Sequence, residues 1–238
     1  MDYTKLPYWN IFLLGCLFYG VLVIQPAWYW FVIWFCTHFI IVTFGIHFTF
    51  HRLLSHKAFV TTTLIERIGS CIGCLAMSGS PLGWAGTHIH HHAYSDTDKD
   101  PHPPSIGWKN IFGFINNKVI SPRSFTPVAW MRRDPFHNAL DKYYFEFILL
   151  YWLLIYWILG YEALFFLGLL PTSTAGLAIA GSNNVVHKDG EPINNYMNWF
   201  LVFGEAAHAD HHTNPRQEYL TRYHDPTGFM IKHLRTYK

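Results

Sequence analysis

Apolar residues in this chain are gathered into long blocks. Tyr8 to Ile24 form the first, ended by Gln25-Pro26. Trp28 to Phe50 form the second, with polar interruptions only at Thr and His. Phe145 to Leu170 and Pro171 to Val186 hold two more, with Glu162 near their junction. A membrane-spanning helix needs about 20 mainly apolar residues. The blocks predict four spans, at about 8–25, 27–50, 145–161 and 163–187, paired as two hairpins. The remainder, 51–144 and 188–238, is expected to form a cap. Within it, Thr62 to Met77 reads as a helix lying along the membrane face. Pro101, Pro103, Pro104, Pro122, Pro127 and Pro135 predict irregular chain after that helix. There is no repeat of fixed period. The expectation is one all-α integral-membrane domain over 1–238, with a helical cap rich in histidine.

Composition strengthens this picture. Hydrophobic residues are 51% of the chain and charged residues only 13%, against about 25% charged in soluble domains. Core helices of a large soluble protein are the alternative, but little polar chain remains to cover them. A net charge of +2 gives a nucleic-acid partner no support. Every Lys and Arg lies before the first block, between the second and third, or after the fourth. The positive-inside rule then puts both termini and the long central segment in the cytoplasm, on a multi-pass protein. The first block, with Asp2 and Lys5 before it and no small-residue cleavage site after it, does not read as a cleaved signal peptide. Of the four cysteines, Cys71 and Cys74 form one C-x-x-C without a second pair. They read as small apolar residues of a surface helix.

The histidines change the question from fold to chemistry. "HRLLSH" supplies His51 and His56 at the end of the second block. "HIHHH" supplies His88, His91 and His92, and "HADHH" supplies His208, His211 and His212. The last two share the spacing i, i+3, i+4, which puts three side chains on one face of a helix. Asn183 and His187 are again i and i+4. His51 and His56, five apart, converge only if the helix ends between them. Any one histidine alone reads as a satisfied polar residue at a membrane interface. Nine emerging on one side are a different matter, because imidazole is the commonest metal ligand. A structural zinc takes four ligands, so nine suit two adjacent metals with four or five each. His90 points off the face of its triplet, and His47 is the nearest residue left outside the set.

In order, spacing and position relative to the apolar blocks, "HRLLSH", "WAGTHIHHHAYSDTDKDPH", "NNVVH" and "GEAAHADHH" resemble the histidine boxes of the integral-membrane fatty acyl desaturases of stearoyl (delta-9) type. The resemblance runs from about Trp34 to Pro215. It implies four transmembrane helices, a cytoplasmic cap and a di-iron centre. The implied ligands are His51, His56, His88, His91, His92, His187, His208, His211 and His212, with Asn183 holding a metal-bound water. It implies an O2-dependent oxidoreductase that inserts a cis double bond into a saturated acyl chain, delta-9 by the type resembled. An unactivated methylene has no acidic proton, so O2, two electrons and iron must supply the oxidant. Asp96, Asp98, Asp100, Glu205 and Asp210 beside the boxes are candidates to orient ligand imidazoles, with solvated loop charge as the alternative.

Gly86 and Thr87 stand where animal acyl-CoA desaturases of this type carry an Arg-Asp pair that grips CoA. The wording around the second box is closer to bacterial and plant members, many of which act on acyl-lipids. The substrate implied is a membrane lipid or an acyl thioester. No "HPGG" signature is present, so electrons are expected from a separate carrier of ferredoxin or cytochrome b5 type. A membrane hydroxylase with a similar site is the nearest rival. A metal transporter is the non-enzyme rival, but it needs polar residues along the spans, which offer only His38 and His47. Finally, Phe39 and Phe35 lie twelve and sixteen residues before His51, roughly 18 and 24 Å deeper along a helix. In the resembling enzymes this span closes the acyl tunnel, so both are expected in its floor, against ordinary packing or lipid contact.

Overall fold

A computed structural model describes residues 6–103, 105, 107, 109, 112, 126–220 and 224–236. Helix α1 (Leu6–Val23) is followed by α2 (Trp28–Ile40), which runs without a break into a π-helical segment, Ile41–Ser55. Gln25, at φ 45°, makes the turn before Pro26. A second pair follows the central segment. Helix α7 (Tyr144–Leu159) turns at Gly160, φ 87°, into α8 (Tyr161–Ala163), a π segment (Leu164–Leu169) and α9 (Leu170–Val186). Trp28–Ser55 and Tyr161–Val186 are long and apolar enough to cross a membrane. A third, bent candidate joins α6 (Pro135–Lys142) to α7 at 78°. The turns fall where the breaks between apolar blocks predict them.

Between the pairs lie α3 (Thr63–Cys74), α4 (Pro81–Tyr94), a 3-10 turn (Thr126–Val128) and α5 (Ala129–Arg133). After α9 come two-residue strands β1 (His187–Lys188) and β2 (Glu191–Pro192), paired antiparallel. Helices α10 (Met197–Val202), α11 (His208–Thr213) and α12 (Pro226–Leu234) complete the described chain. Thr62 caps α3 by accepting from Ile65 N–H. Of the prolines expected to break the central segment, Pro101 and Pro103 lie outside helices, and Pro127 is in the 3-10 turn. Pro135 opens α6, while Pro104 and Pro122 lie outside the described residues. All four cysteines are free. Burial pushes the Cys71 and Cys74 thiols up, as expected of apolar packing residues.

The π segment is the structural departure that matters most. Hydroxyls of Thr49 and Ser55 donate to the carbonyls of Phe44 and Phe50, five residues back, alongside the i→i+5 ladder. Helix α3 lies hard against this segment. A Cβ on Gly45 would come within 2.7 Å of Gly73 Cα and N, so the two backbones meet only because both positions are glycine. His56 N–H donates to His51 O at 3.1 Å. The helix does end between the two, at Ser55. The five-residue π repeat at this ending brings the His56 ring edge-on to that of His51, centroids 4.9 Å apart.

Candidate metal centre

The nine box histidines gather into two adjoining pockets. His51, His56, His88, His92 and His211 make one, and His91, His187, His208 and His212 the other. The triplets do not act as units. From α4, His88 and His92 enter the five-histidine pocket while His91 enters the other. From α11 the exchange is reversed: His208 and His212 enter the four-histidine pocket and His211 the five. The stacked rings of His92 and His212, 4.1 Å apart, form the wall between them.

The ring nitrogens face one another. His51 Nε2 is 2.8 Å from His211 Nε2, and His56 Nε2 is 2.8 Å from His88 Nε2. His211 Nε2 also lies 3.0 Å from His92 Nε2. In the other pocket His208 Nε2 is 3.0 Å from both His187 and His212. One ring nitrogen carries at most one proton, so these converging contacts are not an ordinary hydrogen-bond network. They fit a cation: neighbouring ligands about 2.1 Å from a metal, at right angles, sit about 3.0 Å apart. Electrostatics agree. Burial, then the charge of neighbouring imidazoles, lowers His56 to about 2 and His212 to about 3. The same causes hold His88, His92, His208 and His211 down. Neutral imidazole is the metal-binding form.

Three carboxylates stand behind pocket rings, and two of them fix ring orientation by hydrogen bonds. Asp100 spans His91 Nδ1 at 2.9 and 3.0 Å, and Asp96 takes His187 Nδ1 at 2.7 Å. Glu205 lies 3.5 Å from His51 Nδ1. Each leaves Nε2 for the pocket. Burial alone would raise Asp100, but the hydrogen bond and charge of His91, with His102, outweigh it and bring the carboxyl to about 2. Burial would likewise raise Glu205, but Arg52, His51 and His47 together outweigh it, holding the group well below the carboxylate range. The remaining two candidates do something else: Asp98 is exposed, and Asp210 accepts from Asn194.

A cavity opens onto both pockets. Its polar wall includes His88, His91, His208 and Asn183, and its apolar wall includes Ile46, Met77, Trp84, Ile179 and Val186. Asn183 Nδ2 donates to His102 O at 2.7 Å. Phe35 and Phe39 stack on each other and against Phe203, with centroids 6.4, 5.8 and 5.0 Å apart, and neither lines this cavity. From the same span it is Ile46 and His47, nearer the metal pockets, that face it.

No family model matches the sequence. Similar curated proteins all carry one kind of name. A palmitoyl-monogalactosyldiacylglycerol delta-7 desaturase (chloroplastic) of Arabidopsis thaliana is 30% identical over 71% of this chain and 48% of its own length. An sn-1 stearoyl-lipid 9-desaturase of Anabaena variabilis is 31% identical over 71% and 65%. An sn-2 palmitoyl-lipid 9-desaturase of Nostoc sp. (strain 36) is 27% identical over 89% and 80%. The chain belongs to the acyl desaturase family. It spans about half and just under two thirds of the lengths of the first two of these relatives.

Further residues beside the pockets were not isolated by spacing. Arg52, fully buried, pairs with Asp225 through both terminal nitrogens, 2.8 and 3.1 Å, and with Glu205 at 3.1 Å. His47 Nδ1 is 3.3 Å from Glu205. His102 stacks near His91, with centroids 4.6 Å apart. An arginine inside a histidine box was the available signal for the first. Nothing in the sequence ties Asp225 to it. His90 is buried beside Tyr94 and belongs to neither pocket.

Proposed function

We propose that this protein is an O2-dependent oxidoreductase, a fatty acyl desaturase that inserts a cis double bond at the delta-9 position of a saturated acyl chain. The observation that carries the reading is the pair of all-imidazole pockets opening onto one partly apolar cavity. Bound there, two iron ions would supply the oxidising power to break unactivated C–H bonds using O2. The balance is one O2, two electrons and two protons consumed, two hydrogens lost from neighbouring carbons, and two waters released. The chain's own residues do the rest. Ile46, Met77, Ile179 and Val186 hold the acyl segment and exclude water. Asp96, Asp100 and Glu205 keep the ligand rings in one orientation. Asn183 holds a water beside the four-histidine pocket.

The substrate is a membrane lipid or an acyl thioester, and the electrons come from a separate carrier of ferredoxin or cytochrome b5 type. The chain crosses the membrane four times, α1 and α7 completing the two long apolar helices, with both termini on the cytoplasmic side. The test is expression in a host lacking unsaturated lipids, with fatty-acid profiling and double-bond location. A new monounsaturated chain with a delta-9 bond is expected. A hydroxylated product, or none from inserted and iron-loaded protein, overturns the reading.

A further inference from the structure

We propose that α10 is a membrane-seated helix, its outer face in contact with lipid. This rests on the membrane reading above, and it moves residues 196–203 out of the cytoplasmic cap expected over 188–238. The helix is inverted relative to one that faces water. Its inner face carries Asn198, fully buried, whose amide donates to Glu205 O at 3.0 Å, together with buried Val202. Its outer face carries Tyr196, Met197, Phe200 and Leu201, exposed by 80, 65, 69 and 39%. These four fall within one arc of the helix, and Met197–Val202 contains no charged residue.

Position identifies the occupant. Helix α10 packs along α9, one of the two long apolar helices. At its end Phe203, at φ 54°, turns its ring into α2, against Phe35, His38 and Phe39. Phe35 is itself half exposed on the flank of that helix. The apolar face of α10 is therefore continuous with the lipid-facing flank of α2. Interfacial helices seat such a face about 5–10 Å into the headgroup and acyl boundary. The third histidine box follows directly, because Gly204 and Glu205 leave α10 for α11. Lipid contact would thus hold the base of the strand that delivers Glu205, His208, His211 and His212.

The experiment places single nitroxide labels on the full chain in phosphatidylcholine nanodiscs, with Cys16, Cys36, Cys71 and Cys74 changed to Ala. Labels go at Phe200→Cys and, in case that change unfolds the protein, separately at Met197→Cys. Leu154→Cys on the exposed face of α7 and Gln217→Cys in an exposed loop serve as references. Collision with O2 is compared with collision with a water-soluble nickel chelate. The O2-to-nickel ratio at 197 and 200 is expected to lie below that at 154, as for a shallower seat, and several-fold above that at 217. A ratio like that at 217, with 154 still lipid-exposed, overturns this inference alone. Exclusion of both quenchers at 197 and 200 also overturns it, since protein would then cover the face. Water exposure at 154 overturns the membrane reading itself.

Discussion

The two histidine pockets are built from the same parts and supported differently. The five-histidine pocket has one ligand more and one carboxylate behind it, Glu205 on His51, a group already shared with Arg52 and His47. The four-histidine pocket has one ligand fewer and two carboxylates of its own, Asp100 and Asp96. Ligand number makes the first pocket the more closed. The second is oriented from outside and has Asn183 near it on the cavity wall. On the proposed reading, a pocket with one ligand fewer leaves room for a small molecule, which is the four-histidine side.

The largest effects come from emptying either pocket. His211→Ala and His187→Ala should each abolish desaturation, beyond the roughly 100-fold that loss of an outer partner costs, while the protein remains inserted. Iron per chain, measured on purified protein, should fall by about one in both cases. Normal iron content in either variant would contradict the assignment of that histidine. A smaller, selective loss separates the carboxylates. Asp100→Asn and Asp96→Asn should weaken metal binding in the four-histidine pocket by about 10–100-fold and spare the other. Glu205→Gln should do the reverse, and it also removes a counter-charge from buried Arg52. Stepwise chelator titration reads the two sites apart.

Acidification tests the comparison more gently. His56, His88, His92, His208, His211 and His212 have folded pKa values below the ordinary one of about 6.5. The unfolded chain therefore takes up protons first as pH falls, and their contribution to stability, full above about 6.5, is lost below it. Both pockets should therefore lose metal and stability as pH falls below about 6.5, with iron release and unfolding midpoint followed from pH 7 downward. The smallest effect is expected at His90→Ala, which should keep most activity because its ring meets Tyr94 and neither pocket. A loss as large as at His211 would mean that the face assigned to the second box is wrong.

Much of this was legible in the chain. Hydropathy blocks, interrupted at Gln25-Pro26 and near Glu162, marked the helices, and spacing picked out the nine histidines now found in two pockets. What spacing did not reveal was their partition. The i, i+3, i+4 rule says that His88, His91 and His92 share a face, yet adjacent residues diverge enough to enter different pockets. The π winding around His51 was also hidden, because hydropathy does not distinguish a five-residue ladder from a four-residue one. Phe35 and Phe39 were placed by depth along an ideal helix. Depth leaves the azimuth open, and here both rings turn to Phe203. Glu205 stood among five equivalent carboxylates until its neighbour Arg52 could be seen.

Arg52 also sets an order of events. It is made early, at the exit of the first long apolar helix, yet its carboxylate partners lie 153 and 173 residues further along the chain. Until Glu205 and Asp225 have been synthesised, this cation has no partner, and burying it would cost several kcal/mol. The segment that neutralises it also carries His208, His211 and His212. Charge neutralisation and delivery of the last three histidines therefore coincide. A chain stalled before residue 205 would hold the three upstream histidine groups and still lack three of the nine rings that close the two pockets.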